Sequence, residues 1–294
     1  HSLSTIQSYV EALGFSTNKS RPLYVMPLAG DSVDPQQVNA YYDHYRFEPS
    51  HPRELKLFGN TSHAPFQDRD IYWHEFGHYF MESITADRGI DNAGDLGAEF
   101  SEGAAIHECF ADYGAESLSN RGYIGRWIAP NFGFAPGAPL RSAEDLNDDF
   151  SQFKSVNSFD PSGKNLDRYR LAEWCSRVLW DIRKQMADEN PREGRFYADR
   201  TIFGAATILQ KDTSVSDLKS ALLVADQELN CGIHERSITQ AFESRGYVSQ
   251  SPQLNQNLVL RAALVWLPGT QREFSFNFQI FNPNSQPARN VRLV

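Results

Sequence analysis

Two histidines and a glutamate stand at a spacing that suits a metal site. The segment His74–His78 has the pattern H-E-x-x-H and lies in a stretch that is predicted to be helical. A spacing of four places both imidazoles on one helix face, where both can reach a single tetrahedral zinc ion. Glu75 directly follows the first histidine and is predicted to be a general base that acts on water. Two buried structural histidines are the alternative interpretation of this segment.

A catalytic zinc ion takes three protein ligands and keeps one position for water, so a third ligand is required. The residues after His78 lack the glycine and histidine that metzincin peptidases supply there. Glu108 and Asp112 belong to a later predicted helix and share one of its faces. We predict Glu108 as the third ligand and Asp112 as the acceptor of the second ring N–H of His74. His107 is a rival ligand, although it points about 100° away from Glu108.

Periodicity and helix-ending residues predict the elements that position these groups. Helices are predicted at about 3–13, 36–45, 71–80, 103–117 and 167–189, with two or three more through Phe242. Asp34 and Pro35 are the predicted start of the second of these helices. A strand is predicted at 23–26. The Gly/Pro/Asp/Asn-rich stretch from about 119 to 165 is predicted to form long surface loops.

The last part of the chain changes to a strand pattern. Aromatic and polar residues alternate from Phe274 to Ile280, and the segment 258–266 is predicted to pair with them. A third short strand is expected at 291–294. These changes predict a mixed α/β lobe at 1–80 that ends in the H-E-x-x-H helix, a mainly helical lobe at 81–248, and a β appendage or truncated immunoglobulin-like domain at 249–294. A targeting or adhesion module is a further interpretation of the terminal strands.

With its downstream glutamate, the zinc motif resembles that of the thermolysin-like gluzincin metallopeptidases, including the fungalysin branch. The pattern E-x-x-x-D follows at Glu108 and Asp112. The similarity extends over about residues 36 to 248, through Val38–Tyr42, Arg200–Ala206, Leu218–Leu229 and Gln240–Val248. The resemblance implies an α+β, two-lobe fold with a mixed N-lobe and a mainly helical C-lobe. It also implies one catalytic Zn²⁺ and hydrolysis of peptide bonds.

One departure from the family concerns the oxyanion. The family has a histidine near the start of the long helix, and Tyr169 occupies the matching position before Glu173 and Trp174. A tyrosine O–H can also donate to an oxyanion, whereas simple packing of the ring is the alternative. Arg168 and Arg170 are candidates for binding a substrate carbonyl, or for pairing with a neighbouring aspartate.

A second departure concerns the strand that clamps the substrate. The family's Asn-Ala strand is poorly matched by the segment 62–66, where Pro65 cannot donate a backbone hydrogen bond. An unusual peptide groove is therefore expected.

The composition narrows the possible partners. The net charge is −9 and no Lys/Arg-rich run is present, which argues against a nucleic-acid surface. Mean hydropathy is −0.50 and no stretch approaches the roughly 18 apolar residues of a membrane span. Three cysteines are too few for a disulfide scaffold. Cys109 is expected to be buried and free, while Cys175 and Cys231 are a possible pair.

Acidic clusters offer a weaker metal hypothesis. Asp145, Asn147, Asp148 and Asp149 bring together oxygen ligands of the kind that Ca²⁺ prefers, and Asp87, Asp91 and Asp95 do so more loosely. Solvated loops are the alternative interpretation of both clusters.

Together these patterns predict a secreted zinc endopeptidase, expected to be a monomer and to act on peptide or protein substrates. His1 is not a natural start residue, so a mature fragment of a longer precursor is expected. A zinc-binding but catalytically weak protein that recognises a peptide or a partner is the second hypothesis.

Overall fold

The computed structural model describes residues 2–16, 23–27, 39–43, 53–58, 65–85, 101–144, 149–150, 168–210, 212–247, 259–265 and 275–281. The chain divides into two units, His1–Tyr247 and Val248–Val294. The described part mixes helix and strand and is mostly helical, which confirms the α+β class.

A small three-stranded sheet and one helix form the N-terminal part. Helix α1 covers Ser2–Ala12, and strands β1, β2 and β3 cover Leu23–Pro27, Asn39–Asp43 and Arg53–Phe58. The strand order is β1-β3-β2, with β1 parallel and β2 antiparallel to β3. Among the described strands β2 therefore lies at an edge of the sheet. The predictions of α1 and β1 are confirmed.

The helix predicted at 36–45 is wrong, because residues 39–43 form β2. The pairing explains the difference. Tyr41 stacks on Phe58 of β3 with ring centroids 5.3 Å apart, and Asp43 pairs with Lys56 at 3.1 Å. Cross-strand contacts of this kind favour aromatic residues in strands, and they override a helical pattern that is read from one segment alone. The predicted helix start at Asp34 and Pro35 lies outside the described residues.

Two long helices carry the H-E-x-x-H segment and the downstream glutamate. Helix α2 covers Arg69–Thr85 and α3 covers Glu102–Ser119, as predicted. Asp68 caps α2 by accepting a hydrogen bond from the backbone N–H of Asp70 at 3.1 Å. Ser101 caps α3 through the N–H of Ala104 at 3.3 Å. Both helices are buried over most of their length, so their facing side chains are held in a packed interior.

The remaining helices complete the core of this unit. Helices α4, α5, α6 and α7 cover Arg168–Glu189, Gly194–Ala206, Val215–Asn230 and Glu235–Ser244. This agrees with the predicted long helix and the two or three that follow it. Trp174 of α4 and Phe242 of α7 are completely buried. Within the predicted loop region, a 3-10 turn and two short strands, β4 (Tyr123–Ile124) and β5 (Arg141–Ser142), interrupt the described loops.

Cys109 is buried as predicted, but it is not free, and the predicted pair of Cys175 and Cys231 is wrong. Cys109 of α3 forms a disulfide with Cys175 of α4, with Cα atoms 5.7 Å apart, and Cys231 is free and exposed. The bond joins positions 66 residues apart. Their proximity arises from the packing of α3 against α4, which spacing along the chain does not reveal.

The second unit contains a pair of antiparallel strands. Strand β6 covers Val259–Val265 and β7 covers Ser275–Phe281, with Val259 opposite Phe281. These strands confirm the predicted pairing, while the strand expected at 291–294 lies outside the described residues. Every helix in the described ranges is too short or too polar to cross a membrane.

Candidate metal centre and active-site cavity

Three potential ligand atoms converge between α2 and α3. Nε2 of His74 lies 3.1 Å from Nε2 of His78, and Oε2 of Glu108 lies 3.3 Å and 3.7 Å from these two nitrogens. Zinc bonds of about 2.0–2.1 Å at tetrahedral angles require ligand atoms about 3.3–3.4 Å apart. The three separations bracket that value. Within the described ranges this is the one group of His, Cys, Asp and Glu side chains that converges closely enough for a metal ion.

A tight helix crossing brings the ligands together. A Cβ atom added to Gly77 would lie only 2.7 Å from Cα of Ala111 on α3. Gly77 lies between the two histidines, and Ala111 lies between Glu108 and Asp112. Because Gly77 has no side chain, α2 and α3 can approach closely. The histidines of α2 therefore reach the carboxylates of α3.

Exchanging Gly77 for alanine is expected to push α2 and α3 apart. We expect the free energy of unfolding to fall by about 1–3 kcal/mol, as in other overpacked cores, and zinc affinity to fall with it. Urea unfolding of the metal-free protein and chelator competition measure the two effects. Gly114→Ala is the matched control, because a Cβ there meets nothing within 4 Å, and it should not weaken zinc binding. Equal behaviour of the two variants would contradict this role for Gly77.

Burial and neighbouring charges act differently on the three ligands. Burial lowers the pKa of His78 well below its usual value. Burial would also lower the pKa of His74, but hydrogen bonds to Asp112 and Glu108 raise it to about 10. Burial alone would raise the pKa of Glu108, yet His78 and His74 hold it well below its usual value. The pocket therefore favours an anionic Glu108 beside the two imidazoles.

Asp112 holds the outer side of His74. Its Oδ1 lies 2.7 Å from Nδ1 of His74, the contact that the sequence predicts for this pair. Asp112 is fully buried and also accepts two hydrogen bonds from Arg141 of β5, at 2.6 and 2.7 Å. Burial alone would raise the pKa of Asp112, but the charge of Arg141 and the bond to His74 lower it. The carboxylate is therefore held in its charged form.

Arg141 is a residue of the site that the sequence does not predict. A fully buried carboxylate such as Asp112 needs a nearby cation. The sequence therefore indicates that a basic residue should lie beside Asp112. It does not say which arginine of the long loop region supplies the charge. The guanidinium of Arg141 also borders the cavity and lies 5.4 Å from the ring centroid of Tyr169.

Glu75 lies deep in the site, with only 4% of its surface exposed. Burial raises its pKa to about 7, and a hydrogen bond from the backbone N–H of Tyr42 on β2 opposes part of this shift. A carboxylate with a pKa near neutrality can both take up and release a proton at neutral pH. The hydrogen bond from Tyr42 also connects β2 to Glu75, which the sequence predicts as the general base.

A cavity of about 620 Å³ opens over the ligands. The edge strand β2 borders it through Asn39, Ala40, Tyr41 and Tyr42. An apolar wall is formed by Ile71, Ile128, Phe132, Phe134 and Leu140. Phe132 and Phe134 are 48% and 45% exposed, so both rings are accessible at its rim. The cavity therefore combines a metal-binding floor, a polypeptide edge and an apolar side.

Tyr169 and Arg170 also line the cavity, at the start of α4. Tyr169 is 39% exposed, so its ring is not packed in the core. Arg170 is exposed as well. Arg168 begins α4, and its side chain lies outside the described residues.

The described part of the segment 62–66 is not a strand. Pro65 belongs to a 3-10 turn, Pro65–Gln67, and residues 62–64 lie outside the described residues. An Asn-Ala pair does border the cavity, but it is Asn39-Ala40 on β2.

The acidic clusters remain without a structural test. Asp145, Asn147 and Asp148 lie outside the described residues, as do Asp87, Asp91 and Asp95. Asp149 is described and exposed.

A buried acid lies two turns beyond Glu108 on α3. Glu116 is 1% exposed, and its Oε2 atom has no hydrogen-bond partner among the described residues. Burial raises its pKa well above the usual value, and the nearby carboxylates Asp112, Glu173 and Glu144 raise it further, while Arg141 lowers it. Glu116 is therefore predicted to be neutral in the folded protein at mildly acidic pH.

Glu116→Gln is expected to stabilise the protein increasingly as pH rises. A carboxyl group whose folded pKa is raised contributes full stability below its unfolded pKa, near 4.5, and loses it as pH rises toward the folded pKa. The loss is at most about 1.4 kcal/mol per pH unit. Urea unfolding of variant and wild type at pH 5, 6.5 and 8 should give a widening difference, and Glu228→Gln, at an exposed position, is the control. A difference independent of pH would contradict the buried, neutral state of Glu116.

Comparison with models of known protein families gives no match, and comparison with curated protein sequences gives none either. The case for a metal centre therefore depends on the geometry of the site itself.

Proposed function

We propose that the protein is a zinc-dependent endopeptidase with a thermolysin-like arrangement of its active site. The observation that carries this proposal is the convergence of His74, His78 and Glu108 at separations suited to a tetrahedral ion, beside the buried Glu75. Two imidazoles and one carboxylate are a donor set typical of catalytic zinc, and three ligands leave a position for water or substrate. When bound, zinc supplies Lewis-acid chemistry, because it acidifies water and polarises a carbonyl group.

The chain's own residues would handle the protons of peptide hydrolysis. Glu75 takes a proton from a water molecule as the water oxygen attacks the scissile carbonyl carbon. The same carboxyl group then passes the proton to the leaving nitrogen as the C–N bond breaks.

Donors that border the cavity would stabilise the negative charge that develops on the carbonyl oxygen. The O–H of Tyr169 and the guanidinium of Arg141 are the donors that we assign to this role, and Arg170 also lines the cavity. Asp112 fixes Arg141 through two hydrogen bonds and holds His74 at the same time. A donor held in place before the reaction stabilises the developing charge without further reorganisation.

An extended peptide is the substrate class that fits the cavity. Among the described strands β2 lies at an edge of the sheet, so one side of its backbone faces away from β3. A peptide can add to such an edge through main-chain hydrogen bonds, which are independent of its sequence. The apolar wall at Ile128, Phe132 and Leu140 suits a large apolar side chain of that peptide.

The buried disulfide between Cys109 and Cys175 supports an extracytoplasmic location for this peptidase. Structural disulfides form and persist in oxidising compartments.

A zinc-binding, catalytically weak recognition protein is the second candidate. It is favoured by Tyr169, because tyrosine stands where the resembling family has a histidine. Such a protein would bind peptide in the same cavity without cleaving it.

Metal removal and restoration tests the proposed activity. We expect cleavage of an unfolded protein substrate to stop after treatment with a chelator and to return on addition of zinc. Peptide binding that depends on zinc, without cleavage, would favour the recognition protein. Cleavage that persists in metal-free protein would overturn the zinc mechanism.

A further inference from the structure

His107 lies behind the second histidine of the H-E-x-x-H segment. It directly precedes Glu108 on α3, and its Nδ1 atom lies 2.8 Å from Nδ1 of His78. The two rings are nearly parallel, with 3° between their planes. Both side chains are buried. A hydrogen bond between two ring nitrogens in a buried setting has a defined direction, because only one of the two nitrogens can carry the hydrogen.

Metal binding decides that direction. The atom of His78 that converges with His74 and Glu108 is Nε2, so this nitrogen must be free of hydrogen to act as a ligand. The hydrogen of the neutral His78 ring is then on Nδ1. Nδ1 of His107 must accept it, and the hydrogen of His107 is on its own Nε2.

We propose that His107 is a positioning residue, which accepts the Nδ1–H of His78 and thereby fixes the tautomer and ring orientation in which His78 presents Nε2 to the metal. The inference rests on the proposed zinc centre. It gives each ligand histidine its own partner on α3, since Asp112 serves His74 and His107 serves His78. The two partners flank Glu108 along the same helix, so α3 supplies one ligand and orients the other two.

The same geometry excludes the rival role of His107 as a ligand. Its Nδ1 atom meets the outer nitrogen of His78, on the side away from the converging Nε2 atoms. His107 is also not a member of the group of side chains that converges closely enough for an ion.

The supporting environment is unequal for the two ligand histidines. His74 faces the charged Asp112, whereas His78 faces the imidazole of His107. Outer partners of ligand histidines commonly change metal affinity by about 10–100-fold.

Two substitutions of His107 distinguish a role as hydrogen-bond acceptor from a role in packing alone. In His107→Asn, the side-chain oxygen can take the place of Nδ1 as acceptor, whereas His107→Leu fills similar space without one. Zinc affinity is measured for the whole chain by competition with a chromophoric chelator, and site geometry by the visible spectrum of the cobalt-substituted protein. We expect His107→Leu to weaken zinc binding about 10–100-fold and to change the cobalt spectrum. His107→Asn should largely preserve the zinc affinity and the cobalt spectrum. The control Ile106→Val, which changes a buried neighbour on the same helix, should preserve them as well.

Equal zinc affinities and cobalt spectra in the Leu and Asn variants would overturn the role of His107 and leave the zinc centre intact. A failure of the unaltered protein to bind zinc would overturn the zinc centre and this inference together.

Imidazole ¹⁵N NMR of the zinc-bound, unaltered chain tests the tautomers without any variant. The predicted state has hydrogen on Nδ1 of His78 and on Nε2 of His107. Hydrogen on Nδ1 of His107 would overturn the proposal.

Discussion

Glu75→Gln is expected to lower peptide cleavage by about 10²–10⁴-fold while zinc stays bound with nearly unchanged affinity. Glutamine has the shape of glutamate but cannot take a proton from water, so the step assigned to Glu75 is lost. The protein should still fold, because burial already disfavours the charged form of Glu75 and raises its pKa to about 7. Turnover of an unfolded protein substrate and zinc content, both measured on one preparation, separate the two effects.

Glu235→Gln is the control for this change, since Glu235 lies at the start of α7 and is exposed. It should leave cleavage and zinc content as they are. Turnover retained in Glu75→Gln would contradict the assignment of Glu75 as the base, whereas loss of zinc would show that the substitution disturbs the ligands.

Glu108→Ala is expected to have the largest effect on metal binding. It removes a ligand atom and the negative charge beside His74 and His78, so zinc affinity should fall by more than the 10–100-fold that the loss of an outer partner costs. Cleavage should disappear with the metal. Equilibrium dialysis followed by metal analysis measures the first effect, and turnover at saturating zinc measures the second.

Helix α3 supplies a graded set of comparisons for this prediction. Glu108, Asp112 and Glu116 follow at intervals of four along α3. We expect zinc affinity to fall most in Glu108→Ala, by about 10–100-fold in Asp112→Asn, and hardly at all in Glu116→Gln. Retention of zinc by Glu108→Ala, or equal losses in all three variants, would contradict the ligand set.

The parts of the site that lie on regular helices could be predicted from the sequence. Helical periodicity locates α2 and α3, and a spacing of four residues places the paired side chains on one face. The contact between His74 and Asp112 follows from the same geometry once the two helices are assumed to pack. Each of these predictions requires only that one helix, or one pair of packed helices, is recognised in the sequence.

The parts that depend on long-range contacts could not be predicted. The sequence predicts a helix where the structure has β2, because the pairing of β2 with β3 is not visible in a single segment. Arg141 approaches Asp112 from a short strand in a loop-rich region, and Cys109 meets Cys175 across a helix interface. The sequence predicts His107 only as a rival ligand, because its contact with His78 depends on how closely α2 and α3 cross at Gly77.

An anomalous difference map from crystals of the zinc-loaded protein, recorded on both sides of the zinc absorption edge, tests the metal centre most directly. The proposed centre predicts one zinc peak at about 2.0–2.2 Å from Nε2 of His74, Nε2 of His78 and a carboxylate oxygen of Glu108. A map without a peak between these atoms, or with its zinc peak on other residues, would contradict the account.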